Sequence, residues 1–184
     1  MAQFHISGGV PLSGSIQIQG AKNAALPLLA SSLLTSEPCV FRNVPKIADV
    51  SSMLSLLASL GADIAWKDET TVSICCAAVD NRNLDYELVR RLRASALLVG
   101  PLLSRFSEVS IPYPGGCLLG KRPLDAHFKA FEALGAEVTC EAEGFVVRAS
   151  EMHAGRMFLS EASVTATENA LMAASCIEGE VLIK

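Results

Sequence analysis

Three short segments of this 184-residue sequence carry side chains that could do chemistry. The first runs from Ile111 to His127, Ile-Pro-Tyr-Pro-Gly-Gly-Cys-Leu-Leu-Gly-Lys-Arg-Pro-Leu-Asp-Ala-His, with three prolines and three glycines. Cys117 sits at its tip, close to Lys121 and Arg122. A thiol in a cationic, accessible loop favours its thiolate, and a small apolar residue in a Gly-rich turn is the equal alternative. The second is Gly20-Ala-Lys-Asn-Ala24, which opens an apolar helix after a short strand. Lys22 and Asn23 then stand at a helix N-terminus, where free N–H groups favour anions; a solvated lysine with an Asn cap is the plainer reading. The third is Ser163-Val-Thr-Ala-Thr-Glu-Asn169, hydroxyl- and amide-rich, which reads as a helix N-cap. Arg90, Arg91 and Arg93 crowd what reads as the start of another helix. Cations oppose the dipole there, so either an anion or solvent must offset them.

The elements that must position these groups repeat. Ser52 to Ile74 and Asp125 to Ala149 both read as helix, Leu-Gly-Ala, strand, tight turn, strand, with Gly61 and Gly135 aligned 74 residues apart. Those glycines stand where helical periodicity gives way to alternation, the place for a left-handed residue. Before each comes an apolar helix, a polar turn and a strand: Ala25 to Asn43 and Ala96 to Tyr113. A third such half-unit, Ala170 to Lys184, closes the chain. One unit is therefore helix–strand–helix–strand–strand, and the third unit is incomplete. Stacked repeats bury a face of each unit against its neighbour. The expectation is thus a first lobe over residues 22–184, about two and a half repeats, cut from something longer. By repeat alignment Asn23, Arg93 and Asn169 are equivalent, 70 and 76 residues apart. Under pseudo-threefold symmetry their helix ends would converge on one polar pocket.

Composition excludes several classes. With 15 basic and 19 acidic residues the net charge is −4, which gives no nucleic-acid footprint. The apolar uncharged run Asn23 to Ser36 has 14 residues and contains Pro27, short of the roughly 18 a membrane span needs. No signal peptide is evident, and six cysteines without CxxC spacing read as reduced cytoplasmic thiols. His5, His127 and His153 are isolated, so no metal site is expected. Cys39, Cys75, Cys76, Cys140 and Cys176 fall in strands or apolar helix faces and read as structural.

Four motifs resemble the enolpyruvyl transferase family, and within it the UDP-N-acetylglucosamine 1-carboxyvinyltransferases. They are Gly20-Ala-Lys-Asn-Ala-Ala-Leu26; Leu92-Arg-Ala-Ser95 with Gly100-Pro-Leu102; Pro114 to His127; and Ala162 to Asn169. The resemblance implies an inside-out α/β barrel lobe built of the repeated unit, one of two lobes. It implies transfer of the enolpyruvyl group of phosphoenolpyruvate to the sugar 3′-hydroxyl, by addition then elimination, at the first committed step of peptidoglycan precursor synthesis, with no cofactor. Carried over by position, Cys117 resembles the family's general acid on the methylene carbon. Lys22, Arg93 and Arg122 resemble the cations that hold phosphoenolpyruvate. Asn23, Arg122, Pro123, Leu124, Asp125, Ser163 and Val164 resemble the nucleotide-sugar site. Residues 1–21 are expected as a strand segment belonging with the second lobe. Leu97 and Thr165 depart from the family pattern, which has an aromatic side chain and Gly there. The alternatives are an inactive, self-associating fragment or UDP-sugar-binding module, and enolpyruvylshikimate-phosphate synthase, which lacks the loop cysteine.

Overall fold

A computed structural model describes residues 3–115 and 123–184. Its first repeat comprises helix α1 (Lys22–Ser31), strand β1 (Cys39–Phe41), helix α2 (Ala48–Ser59) and strands β2 (Asp63–Trp66) and β3 (Val72–Cys75). The second has a short helix α3 (Tyr86–Arg91), a 3-10 segment (Arg93–Leu98), helix α4 (Val99–Phe106) and strand β4 (Glu108–Pro112). Helix α5 (Asp125–Ala133) and strands β5 (Glu137–Cys140) and β6 (Gly144–Arg148) complete it. Strand β7 (Gly155–Met157), helix α6 (Val164–Ala174) and strand β8 (Val181–Ile183) follow. The helix–strand–helix–strand–strand unit is therefore present twice, and its first half a third time.

Each full repeat forms a three-stranded antiparallel sheet whose last strand lies in the middle: β1-β3-β2 in the first, β4-β6-β5 in the second. Strands β7 and β8 pair in parallel. The hairpins are in matching register, with Asp63 opposite Cys75 and Glu137 opposite Arg148.

The Leu-Gly-Ala step has the same construction twice. Gly61 has φ +104° and Gly135 +95°. Ala62 N–H reaches Leu57 O and Gly61 N–H reaches Ala58 O; Ala136 N–H reaches Phe131 O and Gly135 N–H reaches Glu132 O. This crossed pair of bonds satisfies the last helical carbonyls and needs a left-handed residue, which glycine adopts without strain.

The helices meet in the interior. Helix α1 packs on α2 and on the 3-10 segment, while α6 packs on α4, α5 and that same segment. Leu29, Leu56, Leu57, Leu98, Leu102, Phe131 and Ala173 are buried there. Such side chains contribute on the order of 1.5–3 kcal/mol each when fully buried. Gly100 lets α4 and α6 approach closely: a Cβ there would lie 2.6 Å from Asn169 O.

Residues 3–21 form no strand with the described residues and are largely exposed, with Phe4 93% and Leu12 99% accessible. Arg90 and Arg91 do not start a helix. They end α3, where cations complement the dipole. Leu92 then turns extended, at φ −123° and ψ 114°, and only Arg93 begins the next helical segment. Two cysteines also differ from expectation. Cys140, at the end of edge strand β5, and Cys176, in the turn past α6, are exposed, whereas Cys76 is buried.

Candidate active-site cleft

A cleft of about 370 Å³ opens where the first helical turns of the three repeats meet. Lys22, Asn23, Leu26 and Pro27 come from α1, Asp49 from α2, and Arg91 to Ala94 from the break between α3 and the 3-10 segment. Val164, Thr165 and Glu168 come from α6. Proline offers no N–H, so Pro27 leaves the Asn23 carbonyl without its usual helical donor at the cleft wall.

The cations come from different repeats. Lys22 Nζ lies 2.8 Å from Asp49 Oδ2, with both side chains nearly half exposed. Arg93 Nη2 donates to the Pro123 carbonyl at 3.3 Å, which ties the start of the 3-10 segment to the chain two residues before α5. Glu168 is partly desolvated, and this raises its carboxyl above the usual range. Lys22, Arg91 and Arg93 against Asp49 and Glu168 leave a cationic excess among the lining residues, suited to an anion.

Several sequence-derived candidates thus converge. Lys22, Asn23, Arg93 and Val164 share the cleft, and Pro123 touches Arg93 through its carbonyl. Asp125 is exposed in the first turn of α5, while Leu124 is turned inward. Ser163 caps α6, its hydroxyl accepting from Ala166 N–H at 3.3 Å. Cys117 and Arg122, with Lys121, lie outside the described residues.

Asn169 does not reach the cleft. It is the sixth residue of α6 and fully buried. The residue that matches Asn23, second in α1, is Thr165, second in α6. Matching one Asn to the other sets the register four residues, about one helical turn, too far along α6.

Asn169 instead centres a polar network that the sequence did not signal. Its Oδ1 accepts from Gly100 N–H at 2.8 Å. Its Nδ2 donates to Ala96 O at 2.9 Å and contacts His127 Nδ1 at 3.0 Å. His127 Nε2 lies 3.1 Å from Thr165 Oγ1. His127 is 5% exposed. Burial first, and the Arg93 cation second, push its imidazole down to about 4, so it is neutral near pH 7.

Among the described residues no group of three His, Cys, Asp or Glu side chains could hold a metal ion. Nor is any described helix long and apolar enough to cross a membrane.

Residues 6–184 match the family model described as EPSP synthase (3-phosphoshikimate 1-carboxyvinyltransferase). A UDP-N-acetylglucosamine 1-carboxyvinyltransferase of Coxiella burnetii is 43% identical over the whole chain. One of Helicobacter acinonychis is 44% identical over 96% of it. The chain spans 42% of the length of each. Among solved structures, the enolpyruvyl transferase NikO from Streptomyces tendae superposes with a TM-score of 0.78 at 18% identity, covering 96% of this chain and 42% of that one. EPSP synthase from Acinetobacter baumannii superposes at 0.70 and 18% identity, covering 93% and 40%. The fold is thus that of the enolpyruvyl transferases, and the chain belongs to the EPSP synthase (3-phosphoshikimate 1-carboxyvinyltransferase) family.

Proposed function

We propose that this chain supplies the first lobe of a UDP-N-acetylglucosamine 1-carboxyvinyltransferase acting in cytoplasmic peptidoglycan precursor synthesis. The observation that carries the reading is the meeting of Lys22 and Asn23 with Arg93 and Val164 in one cleft, from three successive repeats. The 43% identity to a transferase of that name supports the nucleotide sugar as acceptor in preference to shikimate phosphate.

In this reading Lys22 and Arg93, with Arg122, bind the phosphate and carboxylate of phosphoenolpyruvate. Preorganised cations aimed at a multiply charged substrate stabilise charge without reorganisation. The sugar 3′-oxygen bonds to C2 of phosphoenolpyruvate while C3 takes a proton from the Cys117 thiol. With the hydroxyl proton already passed to a base as the C–O bond forms, the tetrahedral ketal then loses phosphate from C2 and one C3 proton to a base, restoring the double bond as an enol ether. Asn23 holds the sugar, and Pro123, Leu124, Asp125, Ser163 and Val164 border the uridine diphosphate. The outward apolar side chains of residues 3–18, among them Phe4, Ile6, Leu12 and Ile16, would pack on a second lobe. Exposed apolar surface of this kind promotes association, so the chain by itself would self-associate.

An epoxide phosphonate tests the chemistry. It should add once, at Cys117, and faster with UDP-N-acetylglucosamine present, as read by peptide mass spectrometry. Labelling spread over several cysteines counts against the role. Phosphate release, assayed beside nucleotide-sugar binding, separates turnover from binding alone. In an enzyme carrying this lobe, Lys22→Ala or Arg93→Ala should raise the phosphoenolpyruvate KM or cut turnover by about 10- to 100-fold, from the loss of one charge-assisted contact.

A further inference from the structure

The buried network fixes every proton it contains. Gly100 N–H can only donate and Ala96 C=O can only accept, so the Asn169 amide has one possible orientation, with Oδ1 toward Gly100 and Nδ2 toward Ala96. The second Nδ2 hydrogen faces His127 Nδ1. That nitrogen must therefore accept, and a neutral imidazole carries its hydrogen on Nε2. Nε2–H then donates to Thr165 Oγ1. A hydroxyl has one hydrogen and two lone pairs. With one lone pair occupied by His127, the hydroxyl hydrogen is left to donate.

Thr165 lines the cleft. Thr167, two residues on, donates its hydroxyl to Ser163 O at 2.9 Å, back along the helix. Among the described residues His127 is the only hydrogen-bonding partner of Thr165 Oγ1. We infer that Thr165 is a ligand-contacting residue whose hydroxyl donates to an oxygen of a phosphate-type group in the cleft, and that His127 and Asn169 are its positioning residues. The inference rests on the reading of the cleft as an anion site. The relay gives the hydroxyl a fixed sense, so it enters the site as a donor and discriminates against a group that can only donate to it.

Two measurements test this. In protein carrying ¹⁵N-labelled histidine, the His127 imidazole should show an unprotonated Nδ1 and a protonated Nε2 at neutral pH. The opposite tautomer overturns the relay. In calorimetric titrations with UDP-N-acetylglucosamine and with pyrophosphate, Thr165→Val should bind about fivefold to tenfold more weakly than the unaltered chain. Thr165→Ser should restore binding and melt with the unaltered chain, whereas Thr165→Val leaves His127 Nε2–H without its partner and should melt lower, so its binding is read well below its own melting temperature. If Arg93→Ala weakens binding and Thr165→Val does not, the inference falls while the anion site stands. If the unaltered chain binds neither probe, both fall together.

Discussion

Lys22 Nζ and Asp49 Oδ2 lie 2.8 Å apart at the cleft, joining the first turn of α1 to the first turn of α2. An anion entering the cleft competes with Asp49 for that ammonium. Exposed pairs of this kind are worth about 0–1 kcal/mol, so the aspartate restrains Lys22 more than it stabilises the fold. Asp49→Asn should therefore tighten pyrophosphate binding by about threefold at low salt, and the gain should shrink as salt rises. Stability should change by less than about 1 kcal/mol. Titrations at two salt concentrations check both; weaker binding by the variant would show that Asp49 helps to hold the ligand.

Asn169 satisfies two buried backbone groups and one ring nitrogen across helices that are far apart in sequence. Asn169→Leu keeps the bulk and leaves Gly100 N–H, Ala96 C=O and His127 Nδ1 without that partner. Each unsatisfied buried polar group costs about 1–3 kcal/mol. A loss of roughly 3 kcal/mol or more is expected, read as a lower urea midpoint with an unchanged slope. A variant within about 0.5 kcal/mol of the unaltered chain would mean that the network is dispensable.

Local patterns were the legible part of this chain. The Leu-Gly-Ala steps at Gly61 and Gly135 declare themselves because helix periodicity, a glycine and strand alternation all fall within a few residues. Lys22, Asn23, Arg93 and Val164 were legible as a group through repeat symmetry and family motifs. The break at Leu92 was not, because no glycine or proline marks it, and so Arg90 and Arg91 were assigned to the wrong end of a helix. The same holds for Ser107, which caps α4 at φ +60° without being glycine. The His127–Asn169 network was illegible for another reason. Its members lie 42 residues apart, and only the packing of α4, α5 and α6 brings them together. An isolated histidine and an amide on an apolar helix carry no local sign of such a partnership.

Helices α4 and α6 approach closely because residue 100 has no side chain. A Cβ there would meet Asn169 O at 2.6 Å and Asn169 Oδ1 at 2.9 Å, and the first is backbone that cannot rotate away. Gly100→Ala must separate the helices or displace the Asn169 amide, at a cost of about 1–3 kcal/mol. A Cβ on Gly155 has open space around it. Gly155→Ala should accordingly fall within about 0.5 kcal/mol of the unaltered chain. Equal melting temperatures for the two variants would contradict the close approach.

His127 also makes stability depend on pH, with a definite sign. Its imidazole is pushed down to about 4 in the folded chain, against roughly 6.5 in an unfolded one. Between those values the unfolded chain binds a proton that the folded chain refuses. Stability is therefore highest, from this group, above about pH 6.5 and falls as pH drops toward 4. The full interval corresponds to about 3 kcal/mol. Protonation at Nδ1 would set a donor against the Asn169 Nδ2 hydrogen, so the folded state resists it on geometric grounds as well. Glu168 acts in the opposite sense: its raised carboxyl takes a proton first in the folded chain, which gains stability as pH falls through its range. An NMR titration separates the two. The His127 ring should keep its neutral signals at pH 5, where an exposed histidine is already charged. A His127 ring that titrates near 6.5 with no loss of structure would show that neither its burial nor its bond to Asn169 holds it neutral.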